Sequence, residues 1–296
     1  MLKSNEIIAF CIKELMKIYS SSIEKAVSLE LPPQVLTPIL KTYSLVYGIK
    51  SEELPKPISE FSNFKEFFTR PLKKGCRLID QRPETIVSPA DGFVLQSGPT
   101  DYPAPETIRV KGSYYTLYDI LGKMSYWGLP ENERKGAYIL VYLSPGSCHR
   151  IYSPVNGNIT ARGFIPGTIY PVNKIGRNLV PHIYSKNSRV TLKIADREEK
   201  FIIFLVLIGA LAVGDINLTY DGEKKFKPFE KRETLELFTS PVSINKGQEI
   251  GVFNLGSSII IICYTHKNYS VRILKQEGKT KIGEAIMKIE DMGREI

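Results

Sequence analysis

Apolar residues recur at helical spacing near the start of the chain. In "EIIAFCIKELMKIYSSSIEKAV", Ile8, Cys11, Leu15 and Ile18 form an i, i+3, i+7, i+10 stripe, and Lys13, Glu14 and Lys17 fall on the other side. Such a helix either packs its stripe on its own domain or lays it on a membrane surface, flanked by lysines. Pro32, Pro33 and Pro38 interrupt the helical region, and "LPKPISEFSNF" reads as a turn-rich connector. From about Ile86 the period changes. Short β-type runs, among them "TIVSPADGFVLQSG", "GAYILVYLSPG", "YSPVNGNITARGF", "RVTLKIAD" and "ETLELF", alternate with Gly, Pro and Asn. This is the pattern of an antiparallel sheet, sandwich or barrel. The pattern predicts an α+β fold, with an N-terminal helical region over residues 1–75 on a β-rich core over 76–296.

Three stretches refine this picture. "FIIFLVLIGALAVG" from Phe201 is the most apolar run. It falls short of the roughly 20 residues a spanning helix needs and is rich in β-branched and aromatic residues, so it reads as a buried strand. "SPADG" (Ser88 to Gly92) and "SPVNG" (Ser153 to Gly157) echo each other, and suggest a core of two similar β units. "YDGEKKFKPFEKRET" (Tyr220 to Thr234) is dense in charge and poor in aliphatic side chains, which predicts a surface loop.

Composition narrows the partners. A hydrophobic content of 43% over 296 residues supports a sizeable core and excludes wholesale disorder. The net charge of +9 biases the surface toward anionic partners. The basic residues are scattered rather than gathered in arms, which argues against nucleic acid. Cys11, Cys76, Cys148 and Cys263 form no C-x-x-C and read as free thiols in a reducing compartment. The three histidines, His149, His182 and His266, lack metal-ligand spacing, so no metal is expected. The N-terminus shows no secretory signal pattern.

One segment carries chemistry. In "GVFNLGSSIIII" (Gly251 to Ile262), a Gly-Ser-Ser step opens what reads as a buried strand. A serine after glycine in a strained turn can attack the preceding carbonyl, because glycine permits close backbone approach. On these residues alone an ordinary hairpin turn is the stronger reading, since Gly-Ser-Ser turns are common.

The surrounding segments decide between these readings. "FKEFFTRPLKKGCRLID" (Phe64 to Asp80), "IVSPADG" (Ile86 to Gly92), "IRVKGSYYTLYDILG" (Ile108 to Gly122) and "YLSPGSCHRIYSPVNG" (Tyr142 to Gly157) resemble, in order, segments of the phosphatidylserine decarboxylase family. "YPVN" (Tyr170 to Asn173), "NSRV" (Asn187 to Val190), "IGALAVGDI" (Ile208 to Ile216) and "KGQEIGVFNLGSS" (Lys246 to Ser258) complete the series. The resemblance implies self-cleavage between Gly256 and Ser257. The products would be a β chain of residues 1–256 and an α chain of residues 257–296 that stay associated, with Ser257 becoming a pyruvoyl group. That ketone would condense with the amine of an amino-acid head group and hold the electrons released with carbon dioxide, as pyridoxal phosphate does elsewhere.

The same resemblance makes His149 the proton donor and Asp91 the residue that polarises the site, and gives His182 and His266 no role. Family members carry a second histidine three positions after the first, paired with the aspartate of the "SPADG" motif as in a serine-protease triad. Here that position is Tyr152, a poor base at neutral pH. The implied function is decarboxylation of phosphatidylserine to phosphatidylethanolamine. The implied setting is an anionic membrane surface, with the protein peripheral to the cytoplasmic face of the cell membrane; a homodimer is left open. The alternatives are the same chemistry on another amino-acid-bearing substrate, or an uncut, non-catalytic lipid-binding relative.

Overall fold

The computed structural model describes residues 4–100, 107–110, 112–126, 136–211, 215–220, 222, 224–229, 232–254 and 257–293. Side chains are described from residue 14 onward, that of Ser257 excepted. As the pattern predicted, helices come first. Helix α1 spans Ser4–Val27, α2 Pro33–Tyr47 and α3 Phe64–Phe68. Pro33 opens α2, where a missing N–H costs nothing, while Pro38 sits inside the helix instead of ending it. Leu36, Leu40, Leu54, Phe61 and Phe67 form a small core of their own. Ile23 and Val27 of α1 pack toward Phe68, but Leu15 and Ile18 of the predicted stripe are 65% and 64% exposed. That part of the stripe is therefore not packed on its own domain.

The β region is built on an eight-stranded antiparallel sheet ordered β12–β7–β8–β9–β14–β5–β2–β16. Its strands are β2 (Gly92–Pro99), β5 (Gly136–Leu143), β7 (Gly157–Ile165), β8 (Arg189–Asp196), β9 (Phe201–Gly209), β12 (Thr234–Ile244), β14 (Ser257–Thr265) and β16 (Gly278–Thr280). Against one face lie two smaller sheets. One is ordered β11–β10–β13–β6 (Lys224–Phe226, Ile216–Leu218, Glu249–Phe253, Arg150–Tyr152), the other β1–β17–β15 (Thr85–Val87, Ala285–Asp291, Tyr269–Ile273). The hairpin β3–β4 (Thr107–Val110, Ser113–Thr116) and helices α4 (Leu117–Leu121), α5 (Lys174–Leu179) and α6 (Ile183–Lys186) lie toward the other face.

Strand β14 lies at the centre, hydrogen-bonded to β9 on one side and β5 on the other. Its alternate residues face two different cores. Ile259, Ile261 and Cys263 join Val141, Leu205 and Leu207, whereas Ile260, Ile262 and Tyr264 join Leu140, Phe204 and Val206. A strand buried on both faces needs apolar residues at every position, which explains the unbroken isoleucine run and the equally continuous β9.

The "SPADG"/"SPVNG" echo is the visible part of a longer repeat. Ser88 and Ser153 each donate their hydroxyl to the carbonyl two residues on, at 2.8 and 2.7 Å. Each takes its backbone partners from a matching turn, Ser88 from Gly283 and Glu284, Ser153 from Gly247 and Gln248. Both glycines have positive φ, +84° and +78°, which a side chain would resist. The backbone N–H of Ile282 donates to Asp91, and that of Lys246 to Asn156, both at 2.9 Å. The sheet order has the same symmetry, because β16, β2, β5 and β14 match β12, β7, β8 and β9 read from the other end. One unit, β6 to β13, is thus inserted into the other, whose halves are β1 to β5 and β14 to β17.

Residues 220–234 differ from the expected surface loop. Lys224–Phe226 forms β11 on the edge of the four-stranded sheet, and Phe226 stacks on Phe164 with centroids 5.7 Å apart. Phe226, with Tyr220 packed against the same core, anchors it.

Ile261 has no exposed surface and sits on the central strand. Ile261→Ala is expected to cost about 2–5 kcal/mol in denaturant unfolding. Leu45→Ser, at a side chain 84% exposed, is expected to stay within about 0.5 kcal/mol of the parent.

Candidate active site

His149 stands at the junction of the N-terminal region and the β core. It directly precedes β6, and its carbonyl accepts the N–H of Phe253, the last residue of β13, at 2.9 Å. The chain then runs through Asn254 toward Gly256 and Ser257. The imidazole is wholly buried and lies against the ring of Phe68, centroid to centroid 4.0 Å. Its Nδ1 is 2.9 Å from the carbonyl of Ser147. A carbonyl can only accept, so Nδ1 carries the proton and Nε2 keeps its lone pair. Nε2 is buried and has no hydrogen-bond partner among the described residues. Burial first, and then the nearby charge of Arg70, pushes the His149 pKa down to about 3, against the pull of the Ser147 carbonyl.

The N-terminal helices therefore help build this pocket. Arg70, 3% exposed, donates to the carbonyls of Phe67 and Gly146, both at 3.1 Å. Arg150 donates to Thr69 at 3.0 Å and to the Glu249 carboxylate at 2.6 Å. The "FFTRP" stretch and the "SPGSCHR" loop thus lock together through two arginines and one aromatic stack.

Among the described residues Asp91 has two partners. Arg77 grips both its oxygens, at 2.6 Å for the Nη2–Oδ2 contact, and the N–H of Ile282 reaches Oδ1. Arg77 also binds Glu53 at 2.8 and 3.1 Å. These bonds, those to Asp91 foremost, hold the guanidinium firmly protonated, and the bond to Arg77 lowers the Glu53 pKa. The matching turn makes the same backbone bond with the neutral amide of Asn156. The negative charge at Asp91 is thus more than the turn requires.

Tyr152 lies between these groups. Its N–H donates to the carbonyl of Pro89 in the "SPADG" turn at 2.9 Å. Burial raises its pKa well above the usual phenol value, and the neighbouring Cys148 and Glu249, with Asp91 further down, act in the same direction. It is a neutral phenol at physiological pH, and no base.

Gly256 and the Ser257 side chain lie outside the described residues. The Ser257 backbone opens β14, paired with Leu143 on β5 and Gly209 on β9. Ser258 is fully buried, and its hydroxyl has no partner. Lys111 of the "VKG" stretch also lies outside the described residues. His182 sits at the start of α6 against Tyr115, and His266 is exposed beyond the other end of β14. Among the described residues no cluster of His, Cys, Asp and Glu could hold a metal, and Cys76, Cys148 and Cys263 are free.

The structure thus brings His149, Tyr152 and the Asp91 turn to the strand pair that leads into position 257. Sequence reading missed Phe68, Arg70 and Arg77. All three lie in the quoted "FKEFFTRPLKKGCRLID" segment, but nothing local tells an arginine that braces a buried loop from one that faces solvent.

Known proteins carry the same pattern. Residues 64–288 match the family described as phosphatidylserine decarboxylase. A phosphatidylserine decarboxylase proenzyme from Brevibacillus brevis is 35% identical over 227 residues, covering 75% of this chain and 78% of that protein. Proteins of the same name from Marinobacter nauticus and Bacillus cereus are each 31% identical, covering 79% and 84% of this chain and 80% and 85% of their own lengths.

The depressed His149 pKa has a definite sign in stability. The unfolded chain binds this proton near its ordinary value of about 6.5, whereas the folded chain binds it only near 3. The contribution is present above the ordinary value and is lost as pH falls toward 3. Nitrogen NMR on the folded protein is expected to show His149 as the neutral, Nδ1-protonated tautomer from pH 8 down to about 5.

Proposed function

This chain belongs to the phosphatidylserine decarboxylase family, and we propose on that premise that it matures by cutting itself and converts phosphatidylserine to phosphatidylethanolamine and carbon dioxide. The observation that carries the reading is the neutral His149, with a buried, unpartnered Nε2, on the strand pair that feeds Gly256 and Ser257. In maturation the Ser257 hydroxyl adds to the Gly256 carbonyl and gives its proton to a base, for which His149 Nε2 is the candidate. The peptide C–N bond breaks, the freed nitrogen takes a proton, and an ester joins Gly256 to the Ser257 oxygen. Removal of the Cα proton then breaks the Cβ–O bond. This leaves a Gly256 carboxylate and a dehydroalanine, which water converts to a pyruvoyl terminus with release of ammonia.

The residues present fit such a terminus. Position 257 is fixed by backbone pairing on both sides, and the orphaned Nε2 is held by elements that pack against it. The pyruvoyl ketone supplies an electron sink for the pair released with carbon dioxide. His149 returns a proton to the carbon left behind; desolvation makes its protonated form a ready donor. Asp91 keeps Arg77 and the Ile282 turn in place and puts negative charge beside Tyr152. The two chains stay together because β14 to β17 are paired with β5, β9, β2 and β1.

Attachment to an anionic membrane surface is supported by the net charge of +9 and by the exposed apolar side chains of α1 and α2, among them Leu15, Ile18, Leu45 and Val46. No helix among the described residues is long and apolar enough to cross a membrane. A second reading, an uncut lipid-binding relative, is favoured by Tyr152 alone.

Intact mass measurement separates the two. The purified protein is expected as two chains, residues 1–256 and 257–296, the smaller one starting with pyruvoyl, while Ser257→Ala remains whole. A single chain that releases no carbon dioxide from phosphatidylserine vesicles would overturn the enzyme reading. In a time course of cleavage, Tyr152→His is expected to mature faster than the parent, and Tyr152→Phe at the parent's rate.

A further inference from the structure

A second polar group surrounds the start of β14, and the maturation chemistry does not use it. Tyr142 on β5 is the cross-strand partner of Ser258, so the two side chains share one face of the eight-stranded sheet. The Arg177 guanidinium stands over the Tyr142 ring, 5.3 Å from its centroid. One of its nitrogens is fixed by donation to the Val172 carbonyl at 2.6 Å. Among the described residues no carboxylate pairs with it.

Tyr184, on α6, is 1% exposed, and its hydroxyl has no partner. Tyr184 belongs to the buried cluster against which Tyr142 packs, so both rings lie on the face of the sheet that Arg177 covers. The Ser258 hydroxyl on the same face is likewise buried and unpartnered. Buried hydroxyls without acceptors are rare, and two of them around a fixed cation suit an anion supplied from outside.

Helix α5 is built to hold this arrangement. Asn173 caps it by accepting the Gly176 N–H at 3.0 Å, and Gly176 is required because any Cβ there would collide with the Pro171 carbonyl. Arg177 then turns toward the sheet. Ile175 and Leu179 point outward, 68% and 75% exposed. The exposed surface of the helix thus carries two apolar side chains beside Lys174 and Asn178, while Arg177 is directed inward.

We propose that Arg177, with the Tyr184 hydroxyl, forms the subsite for the phosphodiester of the substrate, and so selects a phospholipid over a free amino acid. This rests on the reading of the chain as a phosphatidylserine decarboxylase. The scissile carboxylate is the wrong anion for this cation. Its charge must be lost in the transition state, so a guanidinium bound to it would stabilise the ground state and slow the reaction.

The test uses the matured protein, with soluble dihexanoyl phosphatidylserine as substrate and glycerophosphoethanolamine as a binding probe in calorimetry. Arg177→Gln is expected to raise KM about tenfold or more, the loss typical of a hydrogen bond to a charged group, with kcat within about threefold. Arg177→Lys should fall between the two. Tyr184→Phe should also raise KM while leaving the melting temperature unchanged or higher, since the lost hydroxyl has no hydrogen-bond partner among the described residues. A merely structural role would lower the melting temperature and leave KM alone. The proposal is overturned if Arg177→Gln keeps KM and probe affinity within about twofold of the parent, or loses kcat alone. Should the parent fail to decarboxylate phosphatidylserine, the function reading falls; binding of the probe by parent and Arg177→Gln still decides the subsite.

Discussion

The structure depends on one constraint: β14 is hydrogen-bonded along both edges, and it begins at the residue after the expected cut. Position 257 pairs with Leu143 and Gly209, and the ladder continues on both sides to Tyr264. A hydroxyl poised on its own preceding carbonyl needs a backbone that cannot drift, and two ladders supply that rigidity. They also make cleavage structurally cheap. The segment after the proposed cut belongs to one β unit and the segment before it to the inserted unit, so the break would fall at a junction between units.

The internal repeat clarifies what is general and what is special. Two serine–proline turns and two positive-φ glycine turns close the β units by the same hydrogen bonds, with Asp91 in one and Asn156 in the other. Because an amide suffices for the turn, the carboxylate at 91 has a separate use. In this chain that use is the Arg77–Glu53 cluster, which joins the N-terminal region to the core. With Tyr152 held neutral beside it, Asp91 has no imidazole at that position to orient. His149 is then left as the imidazole on the strand pair that leads to Ser257, neutral for a reason that lies in packing: it is closed off from water by Phe68 and Arg70.

The N-terminal region consequently has two duties. One side of it forms the wall of the His149 pocket, through α3 and the two arginine braces. The other side leaves Leu15, Ile18, Leu45 and Val46 uncovered. An amphipathic pattern fixes how much apolar surface a helix carries, but not which of its neighbours will cover it.

Local pattern along the chain set the class of most elements, and resemblance to a family supplied the candidate chemistry. The change from 3.6 to 2 in hydrophobic period separated helices from strands, the isoleucine run marked a strand buried on both faces, and the ordered motifs pointed to Gly256–Ser257, His149 and Asp91. The first two are local signals, legible because side-chain period acts over a few residues; the motifs named those site residues only through their resemblance to the family. Tertiary structure alone decided that "SPADG" and "SPVNG" are mates in one symmetric sheet, that Phe226 rescues a charged loop into a strand, and that Arg77 claims Asp91. It alone set Arg177 over Tyr142 and left the His149 Nε2 without a partner. Each depends on groups far apart in the chain, 14 positions for Arg77–Asp91 and far more for the rest, and no local pattern specifies which distant group will arrive.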